Sequence, residues 1–326
     1  MKYKVSVIIP VYNTEQYIER CARSLFNQKF EDIEYIFVND CTKDSSINRL
    51  KAVLEEYPGR AEHTKICVHE MNRGLPAARN TGLSVAAGEY VIHCDSDDWM
   101  EDTMIPAMYN CIVSADADIV WSDYYASYVG HDEKVVQQFD ENPLPCMKAL
   151  LTERMHGAVW NKMVKRSLYV ENNVRFPEGV SMWEDLRTTF RLFSYAQKVV
   201  YCPRVFYHYT LYNQGSLSNN LPAAKLDELL TNCDGIITFI KERCLDKVLA
   251  VEAEILKLAA KQILLFTLDK SNFKRWWEIY PEANKYIWKH TSLPFHLRFI
   301  GWCAYRRLWI MVDLWIFLKK LKNRKK

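Results

Sequence analysis

Four clusters of polar side chains could carry chemistry: Tyr12-Asn13, Asn39-Asp40, Asn72-Arg73-Gly74 and Asp95-Ser96-Asp97-Asp98. Asp95 and Asp97 stand two apart, so on an extended segment both carboxylates point to one side and can share a cation. Oxygen ligands select a hard ion, Mg²⁺ or Mn²⁺. Such an ion keeps open positions for phosphate oxygens and draws charge from a departing diphosphate. The same residues could equally make a solvated acidic turn in which Asp98 or Asp102 caps the next helix.

The elements in front of these clusters favour the first reading. Short apolar, β-rich runs at Val5–Val11, Ile33–Val38, Ile66–His69, Glu89–Cys94 and Ile119–Ser122 read as strands. Helical patterns fill Glu15–Asn27, Ser46–Tyr57, Pro76–Ala87 and Thr103–Ser114. Asn13 with Gln16 is expected to cap the first helix, Pro58-Gly59 to end the second and Gly88 to end the third. Strand and helix in alternation predict an α/β, Rossmann-like, mostly parallel sheet with helices on both faces. Ligands bind beyond the carboxyl ends of such strands, and each polar cluster follows a strand. Residues 126–145 read as a polar loop, 146–220 as short, aromatic-rich elements, and 223–268 as two amphipathic helices.

Several function classes are excluded. At 326 residues, 49% hydrophobic and 25% charged, with 10 Gly and 11 Pro, the chain is built for a packed core, not for disorder or a repeat fibre. The ten cysteines contain no CxxC pair, against zinc-ribbon and thioredoxin readings. The turn Pro10-Val11-Tyr12-Asn13-Thr14 lacks both GxGxxG and GxxxxGK[ST], so dinucleotide oxidoreductases and P-loop enzymes are disfavoured. Val5–Pro10 is too short for a signal-peptide core and has no cleavage site, so a reducing cytosolic setting is expected, with most cysteines as buried filler.

Pro10-Val11-Tyr12-Asn13, Val38-Asn39-Asp40-Cys41-Thr42-Lys43-Asp44-Ser45-Ser46, Asn72-Arg73-Gly74-Leu75, Ala78-Arg79-Asn80-Thr81-Gly82 and Asp95-Ser96-Asp97-Asp98-Trp99 together resemble the family 2 glycosyltransferases of the GT-A fold. The likeness runs in order over about the first 100 residues and resumes near 157–210. It implies inverting, metal-dependent transfer of a sugar from a nucleotide diphosphate sugar, such as a UDP-sugar, to a hydroxyl. On that resemblance Pro10, Tyr12, Asp40, Arg79, Asp95 and Ser96 bind the donor, and Asp97 ligates Mn²⁺ or Mg²⁺, with Asp95 and His208 as further candidate ligands. Inverting transfer also needs a carboxylate to accept the proton of the attacking hydroxyl. Pro177–Leu186 resembles the family's acidic pair at a helix start, which makes Asp185 the expected base; Trp160, Lys162, Trp183 and Glu184 fall on the acceptor side. A helix N-terminus favours the ionised form a base requires. Gln214-Gly215-Ser216-Leu217-Ser218 reads as a loop over the donor, able to act as a lid. One departure stands out: the family usually has Gly after its second acid, where this chain has Cys41, so a different local turn is expected.

Charge collects at one end. Residues 285–326 hold eleven Lys/Arg and one Asp, a net +10, so the overall +3 leaves residues 1–284 at −7. Six of ten Trp lie from Trp276 onward. Phe299–Leu318 is long enough to span a bilayer, but Arg306, Arg307 and Asp313 would each cost about 2.5–3.5 kcal/mol near its centre. A helix lying on an anionic membrane with Trp and Leu inward is the expectation; a helix packed on the catalytic domain, with a disordered solvated tail, is the alternative. Three parts are therefore expected: a GT-A domain over 1–220 (nucleotide-sugar half 1–125, acceptor half 126–220), a helical extension over 221–290, and a membrane-associating tail over 291–326 whose removal should leave the fold intact. The expected setting is the cytoplasmic face of the inner membrane, with a growing, lipid-linked cell-surface glycan as acceptor and no nucleic-acid partner. A catalytically silent nucleotide-sugar-binding or scaffolding subunit is the alternative; a nucleotidyltransferase would need a Gly-rich basic loop after the first strand, which is lacking.

Overall fold

The computed structural model describes residues 3–213 and 225–323, so the expected lid at 214–218 lies outside the described residues. The elements run β1 (Val5–Val11), α1 (Ile18–Phe26), β2 (Ile33–Asn39), α2 (Ser46–Glu55), α3 (Pro58–Ala61), β3 (Thr64–Val68), α4 (Leu75–Val85), β4 (Tyr90–His93), β5 (Trp99–Met100), α5 (Met104–Ser114), β6 (Ile119–Tyr128) and β7 (His131–Val135). They continue as α6 (Pro143–Leu151), β8 (Lys162–Lys165), α7 (Arg166–Glu171), α8 (Glu184–Tyr195), β9 (Val199–Thr210), α9 (Leu226–Glu242), α10 (Ala250–Lys261), α11 (Lys270–Glu278), α12 (Phe295–Tyr305) and α13 (Trp309–Asn323). Two 3-10 segments, Gln262–Phe266 and Pro281–Lys289, flank α11.

Among the described residues the strands form one nine-stranded sheet in the order β3-β2-β1-β4-β8-β6-β9-β5, with β7 on β6. The β3-β2-β1-β4 half is parallel, with Val5 opposite Ile33 and Tyr90. Every residue of β1 is buried, as expected of a parallel strand covered on both faces. Val5, Val7, Ile9 and Val11 share a core with Ile18, Leu25, Leu50 and Met108 of α1, α2 and α5. Ile8 points the other way, against Gly82 of α4. Because these strands are parallel, their carboxyl ends and the four polar clusters lie along one edge.

Several local expectations need correction. The first helix starts at Ile18, with Tyr17 at its N-cap and no side-chain cap; Asn13 has φ +53° and its N–H donates to Thr42 Oγ1 at 2.8 Å. Gly88 does not end α4, which stops at Val85; a Cβ at Gly88 would come 2.6 Å from Ser6 N, so glycine there admits close strand packing. The expected loop at 126–145 contains a hairpin, the end of β6 pairing with β7 from Tyr124↔Val135 to Tyr128↔His131.

The chain divides into two compact units, Met1–Met147 with Gly157–Asn219, and Lys148–His156 with Asn220–Lys326. The second differs from the expected three-part plan. Leu293, Leu297, Ile300, Val312 and Ile316 share one core with Leu226, Phe273 and Trp276, so 291–326 is not a separate tail.

Candidate active site

The rim begins at the β1–α1 turn, where Tyr12 is 44% exposed while Pro10 is buried within β1, opposite Val38. Pro10 therefore shapes the strand and offers no donor surface. Asp44, overlooked in the sequence, organises the neighbouring loop: it accepts from Glu15 N (2.9 Å), Thr42 Oγ1 (2.8 Å), Ser46 N (3.0 Å) and Ser46 Oγ (2.6 Å). Burial alone would raise its carboxyl, but these donors hold it below its ordinary value. Cys41 has φ +57°, so the left-handed turn is kept although glycine is not.

Asp40 is buried and both oxygens are engaged. Oδ1 meets His69 Nδ1 (2.7 Å) and accepts from Arg73 N (2.8 Å), and Oδ2 accepts from Gly74 N (2.8 Å). His69 Nε2 in turn meets Thr81 Oγ1 at 2.8 Å. Asp40 thus fastens the β3–α4 loop to β2.

The acidic turn divides its labour. Asp98 is fully buried, accepting from Thr210 N (2.7 Å) and from Tyr207 Oη (2.8 Å), whose oxygen accepts from Asp95 N (3.0 Å). Burial, then the charges of Asp97 and Asp95, push Asp98 well above the usual carboxylate range. It is an internal anchor, not the helix cap weighed above. Ser96 is also buried, its Oγ accepting the Thr14 hydroxyl at 3.1 Å. Asp97 is half-buried, and its Oδ2 accepts from Asn213 Nδ2 at 2.8 Å. Arg20 and Thr210 both donate to the Asp97 carbonyl, at 3.1 and 2.8 Å. Asn13, Tyr17, Asp44 and Asn213 help to line a polar cleft of about 520 Å³ beside this turn, within the size range of small-ligand sites.

Among the described residues no three His, Cys, Asp or Glu side chains converge as a complete metal site. Residues 95–98 form a turn closed by Asp98 N donating to Asp95 O at 3.0 Å, not the extended segment expected, yet Asp95 and Asp97 remain the oxygen donors that would suit a hard cation. Burial and then the Asp95 charge push Asp97 up to about 6, a penalty that a divalent ion would relieve. Oxygen donors from a phosphate ligand would complete the shell. His208 does not join them: its Nε2 meets Glu101 at 3.0 Å, its Nδ1 meets Asp132 at 3.1 Å, and its ring stacks between Trp99 and Tyr125.

On the side expected to face the acceptor, α8 carries Glu184 and Asp185 in its first turn, behind Trp183 at φ +66°. A Cβ at Gly157 would lie 2.9 Å from Leu186 Cβ, so glycine is what allows α8 this close. Asp185, half-buried, accepts from Leu186 N at 2.7 Å. Lys162 is buried, donating to Ala158 O (2.7 Å) and Asn161 Oδ1 (2.8 Å); burial pushes its amine down to about 7, against the pull of the Asp185 charge. Trp160 is corrected. It is 2% exposed and stacks at 4.4 Å on Tyr207, so it supports the acidic turn from behind and presents no acceptor surface.

Arg79 joins the two sides. Its guanidinium, 2% exposed, donates to Asp95 Oδ1 (2.9 Å) and to Glu184 Oε1 (3.1 Å) and lies over Phe176. Burial and the adjacent Asp185 charge raise Glu184 above its ordinary range, and Arg79 offsets part of that.

Residues 6–171 match the profile of glycosyl transferase family 2. The chain belongs to that family. Among its relatives, the putative glycosyltransferase EpsH of Bacillus subtilis is 34% identical over 64% of this chain and 61% of its own length. The cholesterol galactosyltransferase of Borreliella burgdorferi is 31% identical over 71% of this chain and 66% of its own length. The chain thus matches just under two thirds of these two relatives. The fold of this family 2 glycosyltransferase resembles that of S. aureus TarS 1–349, solved in complex with UDP-GlcNAc, with TM-score 0.68 at 19% identity over 99% of this chain and 92% of that one. The mannosyltransferase PcManGT of Pyrobaculum calidifontis, solved with GDP-Man and Mn²⁺, aligns with TM-score 0.53 at 17% identity, over 99% of this chain and 87% of that one.

Proposed function

We propose that the protein transfers a sugar, with inversion, from a nucleotide diphosphate sugar to a hydroxyl of a growing, lipid-linked cell-surface glycan. The observation that carries this reading is the Arg79 bridge, which ties Asp95 of the donor rim to Glu184, the neighbour of Asp185. Tyr12 and the Asp40 loop bound the nucleoside; Asp95, held in place by Arg79, orients the donor sugar. Asp95 and Asp97 would hold Mn²⁺ or Mg²⁺, which neutralises charge on a leaving diphosphate. Asp185 accepts the acceptor hydroxyl's proton as that oxygen bonds the anomeric carbon. The anomeric C–O bond to the diphosphate breaks on the opposite face, and the electron pair leaves with the nucleoside diphosphate. Glycan assembly is supported by relatives such as the poly(ribitol-phosphate) beta-glucosyltransferase of Bacillus spizizenii, 29% identical over 65% of this chain and 33% of its own length. The basic C-terminal end would hold the enzyme at the cytoplasmic membrane face, where no described helix is long and apolar enough to cross.

The test is a thermal-shift screen of UDP, GDP, dTDP and their sugars with and without Mn²⁺. One nucleotide should stabilise the protein in a metal-dependent way, and Asp97→Ala should remove that dependence. Asp185→Asn should keep the shift and lose transfer. A protein that binds no nucleotide sugar, or an Asp185→Asn variant with normal turnover, refutes the reading.

A further inference from the structure

Helix α13 has two apolar faces, and its own unit uses only one. Val312 and Ile316 are buried in the core around Trp276, with Trp309 and Trp315 packed against it. The opposite face carries Ile310 (84% exposed), Met311, Leu314, Phe317 (58% exposed), Leu318 and Leu321. At about 100° per residue these six side chains fall within an arc of about 120°. Aggregation risk makes such stripes uncommon on free surfaces unless something covers them.

Charge indicates what covers this one. Asp313, the only acid in residues 285–326, lies outside the stripe and pairs with Lys270 at 2.5 Å. Exposed Arg306 and Arg307 precede the helix, Lys319 and Lys320 lie within it, and the sequence continues with Lys322, Arg324, Lys325 and Lys326. A second copy docking here would bring two such basic ends together. An anionic surface with an apolar interior meets both the charge and the stripe. Fifteen residues of helix reach about 22 Å, too short to cross hydrocarbon but suited to lying flat.

We propose that the Ile310, Leu314, Phe317, Leu318 and Leu321 face of α13 inserts into an anionic lipid surface, with the flanking basic side chains on the headgroups. This rests on the membrane-face reading above and specifies its contact: an aliphatic and Phe face, not Trp309 and Trp315, which pack against the core.

The experiment is flotation of the full chain with vesicles of phosphatidylcholine alone or with about 30% phosphatidylglycerol, at about 0.1 and 0.5 M NaCl. The parent should float with the anionic vesicles and remain partly bound at high salt. Leu314→Glu with Phe317→Glu should lower partition at least about tenfold while melting temperature and nucleotide binding stay unchanged. Lys319→Glu with Lys320→Glu should weaken binding mainly at low salt. If the stripe variant floats like the parent, the face assignment falls and the membrane reading stands; if the parent itself does not float, both fall. A parent that is dimeric by size exclusion, with a monomeric stripe variant that still floats, would make the stripe a contact between copies and overturn the proposal.

Discussion

Arg79 meets a geometric demand that lysine cannot. One planar fork reaches Asp95 and Glu184, both within 3.1 Å, from a buried position. A lysine ammonium is a point charge that would leave one buried carboxylate unpaired, at about 3–5 kcal/mol. Arg79→Lys should therefore lower the melting temperature and cut transfer by at least about a hundredfold, since Asp95 and the Glu184-Asp185 turn lose their common anchor; a variant with parental turnover would remove Arg79 from the site. Cys41 offers a prediction of opposite sign. Its φ of +57° costs a non-glycine residue roughly 1–2 kcal/mol, so Cys41→Gly should raise stability by about 1 kcal/mol in calorimetry, despite losing the weak Sγ contact to Glu70 O. At this scale the sequence reveals residue types and not partners. Asp95, Asp97, Glu184 and Asp185 are visible as acids at strand and helix ends. The burial of Ser96 under Thr14, the locking of Asp40 by His69, and the capture of His208 by Glu101 and Asp132 are fixed by residues 29 to 107 positions away, which no local pattern encodes.

Elements were legible where apolar runs were continuous and obscure where they were not. β1, β2 and β4 are buried on both faces and advertise themselves. β7, His131-Asp132-Glu133-Lys134-Val135, is almost wholly exposed, so it carries no alternation and reads as loop; its pairing with β6 is what makes it a strand. In the second unit, an unexpected buried cation joins two elements. Lys261, at the end of α10, donates to Trp276 O (3.0 Å), Ile279 O, Tyr280 O (3.3 Å) and Asn284 Oδ1 (2.6 Å), closing the turn after α11. Lys261→Met should destabilise this unit by about 1–3 kcal/mol for carbonyls left unpaired. The effect depends on pH. Burial pushes Lys261 down to about 7 from 10.5, so over that window the unfolded chain holds its proton more tightly and parental stability rises with pH. The loss caused by Lys261→Met should accordingly grow between about pH 7 and pH 9, the contribution of Lys162 being common to both proteins. Denaturation followed by tryptophan fluorescence checks this, because six of the ten Trp lie from Trp276 onward; a pH-independent difference would refute it.

For the whole molecule, the uneven charge was plain in the sequence, but the role of its basic end in the fold was not. Eleven basic residues among 42 look like a detachable tail because charge dominates the composition. The apolar residues between them are spaced for a core. Leu293, Leu297, Ile300, Cys303, Ala304, Val312 and Ile316 surround Phe273, Trp276 and Ile287, so α12 and α13 complete the second unit while one face of α13 remains outside. Truncation after His290 would remove seven buried side chains, the larger ones contributing about 1.5–3 kcal/mol each, more than a domain of ordinary stability can lose. The truncated chain should show protease sensitivity and aggregation traceable to Asn220 onward, and it should lack the melting transition reported by its tryptophans. A soluble, cooperatively melting product would restore the detachable tail. It follows that loss of vesicle binding on truncation would say nothing about lipid contact, because the core fails with the surface. Substitutions confined to Leu314 and Phe317, which leave Val312 and Ile316 in place, separate the two.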